Sequence, residues 1–134
     1  MTAASVAALG LVVGQGSAAN AAVACDVTYT ANQWGSGSGG FTASITLKNT
    51  GDPITSWSLG FDFANAGQKY TPTGWGANWS QSGTRVTGTN LSWNGSLATG
   101  ASTNIGFNGT WTGANPSPAS FSVNNTTCGG GTGP

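Results

Sequence analysis

The sequence predicts an all-β domain, an antiparallel β-sandwich of about eight or nine short strands. Three observations carry that expectation. Apolar and polar residues alternate with period two in several short runs, the signature of half-buried strands. Glycine, asparagine, serine and proline punctuate those runs at close intervals. From Cys25 onward no stretch sustains a helical period.

Residues 1–24 read as a secretory signal ahead of that domain. Ala3 to Val13 form an apolar stretch of the right length, and small residues follow as Ala19-Asn20-Ala21 or Ala22-Val23-Ala24. The alternative is an alanine-rich tail. A transmembrane anchor would need roughly 20 apolar residues, more than this run supplies. The domain itself spans residues 25–128. Val27, Tyr29 and Ala31 alternate with polar neighbours, as do Phe41, Ala43, Ile45 and Leu47. Trp57, Leu59, Phe61 and Phe63 repeat the pattern, then Ile105 and Phe107, then Phe121 and Val123. Expected turns fall at Gly39-Gly40, Asn49 to Pro53, Asn65-Ala66-Gly67, Gln81-Ser82-Gly83, Asn94-Gly95, Thr99-Gly100 and Asn115-Pro116. Residues 129–134, Gly-Gly-Gly-Thr-Gly-Pro, read as the start of a linker to a further domain.

Cys25 and Cys128 bracket the domain. In an exported protein such a pair reads as one disulfide joining the first strand to the last. Two free core thiols are the alternative, against which the end-to-end placement argues.

Composition excludes several function classes. Charged residues make up 4% of the chain with zero net charge, against a usual level of roughly 25%. Nucleic acid and anionic membrane are therefore not expected partners; Lys48, Lys69 and Arg85 cannot offset a phosphate backbone. With no histidine there is no Ser-His-Asp or Cys-His arrangement, and neither a metal site nor a cofactor is expected. Glycoside hydrolysis usually needs two positioned carboxyl groups. Only Asp26, Asp52 and Asp62 are available, in a strand start, a turn and an outward strand position, with no glutamate. The chain is expected to be non-catalytic.

What it has in abundance is indole, with six tryptophans in 134 residues. Trp57 shares the parity of Leu59, Phe61 and Phe63 and belongs to the core. Trp79 is placed in or beside the core, and Trp111, between Gly109-Thr110 and Thr112-Gly113, is left without a role. Trp34, Trp75 and Trp93 lie among glycine, serine and asparagine and lack an apolar period-two partner set. They are either rings folded down over loops or flat faces presented from turns and strand ends. Flat uncharged faces suit a flat, uncharged, extended ligand, and so point to polysaccharide.

Taken together, Cys25-x-Val27-x-Tyr29, Asn32-Gln33-Trp34, Lys48-Asn49-Thr50-Gly51, Trp57-x-Leu59-x-Phe61-x-Phe63, Trp79-x-Gln81-x-Gly83, Trp93-Asn94-Gly95-Ser96, Gly106-Phe107-Asn108-Gly109 and the closing Cys128 resemble the family 2 carbohydrate-binding modules. The resemblance covers Cys25 to Cys128. It implies a β-sandwich with a disulfide between its ends, linked to a bacterial cellulase, xylanase or chitinase. It also implies that Trp34, Trp75 and Trp93 form a coplanar binding face flanked by Asn32, Asn104 and Asn108, which would hydrogen-bond sugar hydroxyls. Parity agrees for Asn104 and Asn108, which face opposite to Ile105 and Phe107.

Two departures accompany the resemblance. Thr73 stands where the family commonly has glutamine, and the loop before Trp75 is about one residue longer. The family's xylan-binding branch carries an arginine three residues after the first tryptophan and lacks the third tryptophan. Here those positions hold Gly37 and Trp93, which favours the flat, cellulose-type face.

The sequence thus predicts a secreted, monomeric, non-catalytic module. It would adsorb to insoluble β-1,4-linked polysaccharide, cellulose foremost, and carry a covalently attached glycoside hydrolase to it. The alternatives are chitin or xylan as ligand, or an adhesive sandwich that meets protein partners through the same aromatic patch.

Overall fold

The computed structural model describes residues 22–129. The apolar h-region, the first candidate cleavage motif and all but Gly129 of the glycine-rich tail lie outside the described residues. Among the described residues nine strands follow one another: β1 (Cys25–Gly35), β2 (Ser38–Asn49), β3 (Ser58–Asp62), β4 (Lys69–Trp75), β5 (Ala77–Ser82), β6 (Arg85–Asn90), β7 (Ser102–Thr112), β8 (Phe121–Val123) and β9 (Thr126–Thr127). Each pairing between these strands is antiparallel, and one isolated parallel bridge joins Asp26 to Gly129. One sheet has the order β1-β2-β7-β4 and the other β9-β8-β3-β6-β5, and they stack as a sandwich.

Alternation in the sequence becomes alternation in burial. Val27 and Tyr29 of β1, Phe41, Ala43, Ile45 and Leu47 of β2, and Ile105 and Phe107 of β7 point inward from one sheet. Leu59 and Phe61 of β3, Val86 of β6, and Phe121 and Val123 of β8 meet them from the other. At the centre Phe61 stacks on Phe107 with centroids 6.0 Å apart, and Phe63 meets Phe107 edge-on. Tyr29 lies against Phe61 and Phe121 in this core, its hydroxyl without a protein partner. Burial pushes its phenol well above the ordinary range, because the charged form would lose its hydration.

The Cys25–Cys128 disulfide is present, with Cα atoms 4.7 Å apart across a separation of 103 residues. It ties the start of β1 to the residue after β9. Beside it, the Val27 N–H donates to the Gly129 carbonyl and the Gly129 N–H donates to the Cys25 carbonyl. Residues 22–24 also engage the fold. Ala24 accepts from the Thr50 and Gly51 N–H groups, Ala22 accepts from Asp52, and the Ala22 N–H donates to the Asp52 carboxylate at 3.0 Å.

The turn expected at Gly39-Gly40 is not there, and both Gly40 and Gly88 make room for an indole instead. Gly39-Gly40 lies inside β2, and the hairpin turn between β1 and β2 is Ser36-Gly37, with Gly37 at φ +71°. A side chain at Gly40 would meet the ring of Trp34 at 2.6–2.9 Å. Gly88 of β6 occupies an inward position because the Trp79 indole lies over it; an added Cβ would meet that ring at 2.8 Å. Trp79 closes the open side of the sandwich, half-buried between Gly88 and Gly74 and 5.0 Å from Phe107.

Candidate polysaccharide-binding face

Three large apolar side chains are exposed among the described residues, and they are Trp34, Trp75 and Trp93, at 57, 41 and 71%. Trp57 and Trp111 are buried and Trp79 is half-buried. The division expected from parity and turn context is the division observed, and Trp111 joins the core.

The outer face of the β1-β2-β7-β4 sheet positions the first two rings. Register aligns Trp34 with Gly40 and Thr110 across β1, β2 and β7. Four residues along, Thr30, Ser44, Gly106 and Trp75 form another row across all four strands. Trp34 and Trp75 therefore start from opposite edges of the sheet and lean inward. Each indole lies over a glycine of a central strand, Gly40 for Trp34 and Gly106 for Trp75, where any Cβ would strike the ring. A ring with a backbone floor lies flat, and a side chain at either glycine would lift it. From strand dimensions the two floors are roughly 14 Å apart.

Trp34 is held from below as well. Trp111 shares a row with Gly39 and Gly35, which bring no side chains, and its indole N–H donates to the Trp34 carbonyl at 3.2 Å. This is the role sequence reasoning left open for Trp111.

Between the two ring rows runs a polar row, Asn32, Thr42 and Asn108. Asn32 is exposed and Asn108 half-buried. The Asn108 Oδ1 accepts from the Thr42 hydroxyl at 2.8 Å, and its Nδ2 donates to the Thr73 hydroxyl at 3.0 Å. Beyond Trp75, exposed Asn104 accepts from the Thr46 hydroxyl at 2.8 Å. All three expected asparagines thus share one face with Trp34 and Trp75. Two of them are fixed by threonine hydroxyls that parity could have placed but did not single out. Thr73 orients Asn108, and β4 reaches Trp75 through a register shift between Tyr70 and Gly74.

Trp93 comes from the connection between β6 and β7. Its neighbour Asn94 is buried and hydrogen-bonded on every side. Among the described residues no three His, Cys, Asp or Glu side chains cluster as metal ligands would. The site is a preformed, aromatic and nearly uncharged surface that can stack on flat apolar faces and donate and accept hydrogen bonds between them.

Comparison with known proteins agrees with this geometry. The family model described as "Cellulose binding domain" matches residues 25–128. Endoglucanase CelA of Streptomyces lividans is 47% identical over 97% of this chain, and Exoglucanase B of Cellulomonas fimi 52% identical over 78%. The chain spans only 28% and 9% of those proteins' lengths. Among solved structures, the chitin-binding domain of Chi18aC from Streptomyces coelicolor superposes with a TM-score of 0.60 at 36% identity, covering 78% of this chain and 94% of that one. From the paired sheets, the end-to-end disulfide, the exposed tryptophans and the family match together, the chain belongs to the cellulose binding domain family, as a non-catalytic carbohydrate-binding module.

Proposed function

We propose that this module adsorbs to insoluble β-1,4-linked polysaccharide, cellulose foremost, by stacking Trp34, Trp75 and Trp93 on successive sugar rings. Asn32, Asn104 and Asn108 hydrogen-bond the hydroxyls between and beside those rings. The observation that carries the reading is the exposure of these three indoles, two lying flat over glycines, while the other large apolar side chains among the described residues are sheltered. If each exposed face covers about 80 Å², burying it contributes roughly 2 kcal/mol, so three rings outweigh any single polar contact. Gly37, three residues after Trp34, brings no side chain that could turn the ring, which favours a flat over a twisted chain.

The module delivers an attached catalytic domain to its substrate by raising the local concentration there. The relatives named above, an endoglucanase and an exoglucanase, support a glycoside hydrolase as that domain. It acts as a monomer without a cofactor, outside the cell. The bonds made by residues 22–24 favour processing after Ala21 over processing after Ala24, so the mature protein starts at Ala22, its ammonium beside Asp52.

A chitin reading is favoured by the 36% identity to a solved chitin-binding domain and the 40% identity to Chitinase C of Streptomyces lividans. Pull-down of the secreted protein on microcrystalline cellulose, chitin and xylan separates the readings, with intact mass reporting the N-terminus. Depletion by cellulose is expected to exceed depletion by chitin, with xylan weakest. Depletion by none of the three would leave the aromatic patch to a protein partner and overturn the proposal.

A further inference from the structure

Resting on that reading, we propose that Asn94 is the positioning residue that fixes Trp93 against Trp75 before any ligand arrives. Trp93 is the most exposed of the three rings, at 71%, and projects from a connection rather than from the sheet. Nothing in the strand ladder holds it. Its neighbour Asn94 is 5% exposed, and each of its polar groups is engaged. The side-chain Oδ1 accepts from the Leu91 N–H at 2.8 Å and the main-chain N–H donates to the Leu91 carbonyl at 3.4 Å, closing the turn that displays Trp93. The main-chain carbonyl accepts from the buried Trp57 indole N–H at 2.8 Å, anchoring the turn to the core.

The remaining bond joins two tryptophans. The Asn94 Nδ2 donates to the Gly76 carbonyl at 2.6 Å, and Gly76 directly follows Trp75. Gly76 is closely packed: it sits at φ +76°, and a side chain there would strike Ile105 and the Asn104 carbonyl. The path from Trp93 through Asn94 to Gly76 and Trp75 contains one side-chain hydrogen bond, and that bond sets the relation between the two rings. A flat ligand rewards rings that already lie in one plane, since little order is lost on contact. The amide is also chemically specific: a carboxylate of the same shape would keep the bond from Leu91 and set a negative charge against the Gly76 carbonyl.

Asn94→Asp tests this directly. At pH 7 adsorption to microcrystalline cellulose is expected to weaken about tenfold, the usual scale for one lost charge-sensitive buried hydrogen bond. As pH falls through the carboxyl's pKa, which burial holds above the ordinary carboxylate value, the protonated acid can donate to Gly76 again and affinity recovers. Asn94→Ala stays weak at every pH. The hydrogen-bonding partners of Asn94 (Leu91, Trp57 and Gly76) carry no ionisable group, nor do Asn90 and Thr55 at the adjacent Gly95. Protonation of Asp26, Asp52 and Asp62 is common to parent and variant, so their difference isolates position 94. A merely structural role would lower Tm without producing the acid-side recovery in affinity.

Parental affinity for Asn94→Asp at pH 7, in a preparation where Trp93→Ala binds weakly, overturns the positioning role and leaves the binding face standing. Parental affinity for Trp93→Ala overturns the binding face itself. If Asn94→Asp does not fold, NMR relaxation of the free parent decides. A rigid Trp93 backbone, with an order parameter near 0.85, supports the role, and a value below about 0.6 overturns it.

Discussion

Trp93→Ala and Trp75→Ala are each expected to weaken adsorption to microcrystalline cellulose by tenfold or more, with Tm close to that of the parent. The magnitude follows from contact area. An indole face of about 80 Å² removed from water contributes roughly 2 kcal/mol, which corresponds to about thirtyfold in affinity. Trp93, the most exposed ring, has the most surface to give and should show the larger loss. Stability changes little because neither ring belongs to the core cluster. Trp75→Ala uncovers Gly106 and the central strands beneath it, but leaves the inward-facing Ile105 and Phe107 packed as before. Adsorption isotherms paired with thermal melts check both halves of this expectation. Parental isotherms for both variants would remove the face from the account.

The second large effect concerns the fold rather than the face. Cys25→Ser/Cys128→Ser is expected to melt at least about 15 °C lower than the parent. Closing a loop of 103 residues removes chain entropy from the unfolded state worth about 4–5 kcal/mol in the simplest treatment, and each kcal/mol shifts Tm by roughly 4–8 °C in a domain of this size. The bond also holds the ends of both sheets together, joining the first residue of β1 to the residue after β9. Below its own Tm the variant should still adsorb, since the disulfide lies at the strand ends and touches none of the three rings. A Tm within about 5 °C of the parent would show that the sheets alone set the stability.

Much of this fold was legible because strand alternation writes itself into residue type. β1, β2, β3, β7 and β8 each carry at least two large apolar residues on the inward parity, and each was expected near its observed position. β4 and β6 were not, for identifiable reasons. The register of β4 shifts between Tyr70 and Gly74, so its polar and apolar residues do not alternate. In β6 an inward position is Gly88, where the apolar matter is supplied by the Trp79 ring of the next strand. A glycine under an indole is a floor for the ring, and for that reason Gly39-Gly40 reads in the sequence as a turn although it lies inside β2.

The face was legible in its exposed tryptophans and less so in what holds them. Turn context separated Trp34, Trp75 and Trp93 from the core rings, because each lies among glycine, serine and asparagine rather than in a run of alternating large apolar residues. Gly40, Gly106, Thr42, Trp111 and Asn94 gave no comparable signal. Their roles depend on partners between 6 and 77 residues away in sequence, visible only when strands are set side by side.

Oxidative footprinting of the indoles tests the central claim most directly. The protein is exposed to a mild tryptophan oxidant free in solution and again while adsorbed to microcrystalline cellulose, and each indole is located by peptide mass. Trp34, Trp75 and Trp93 are expected to oxidise readily in the free protein and to be protected together on the surface, while Trp57 and Trp111 stay unreactive in both states. Undiminished oxidation of those three exposed rings on saturated cellulose would contradict the account.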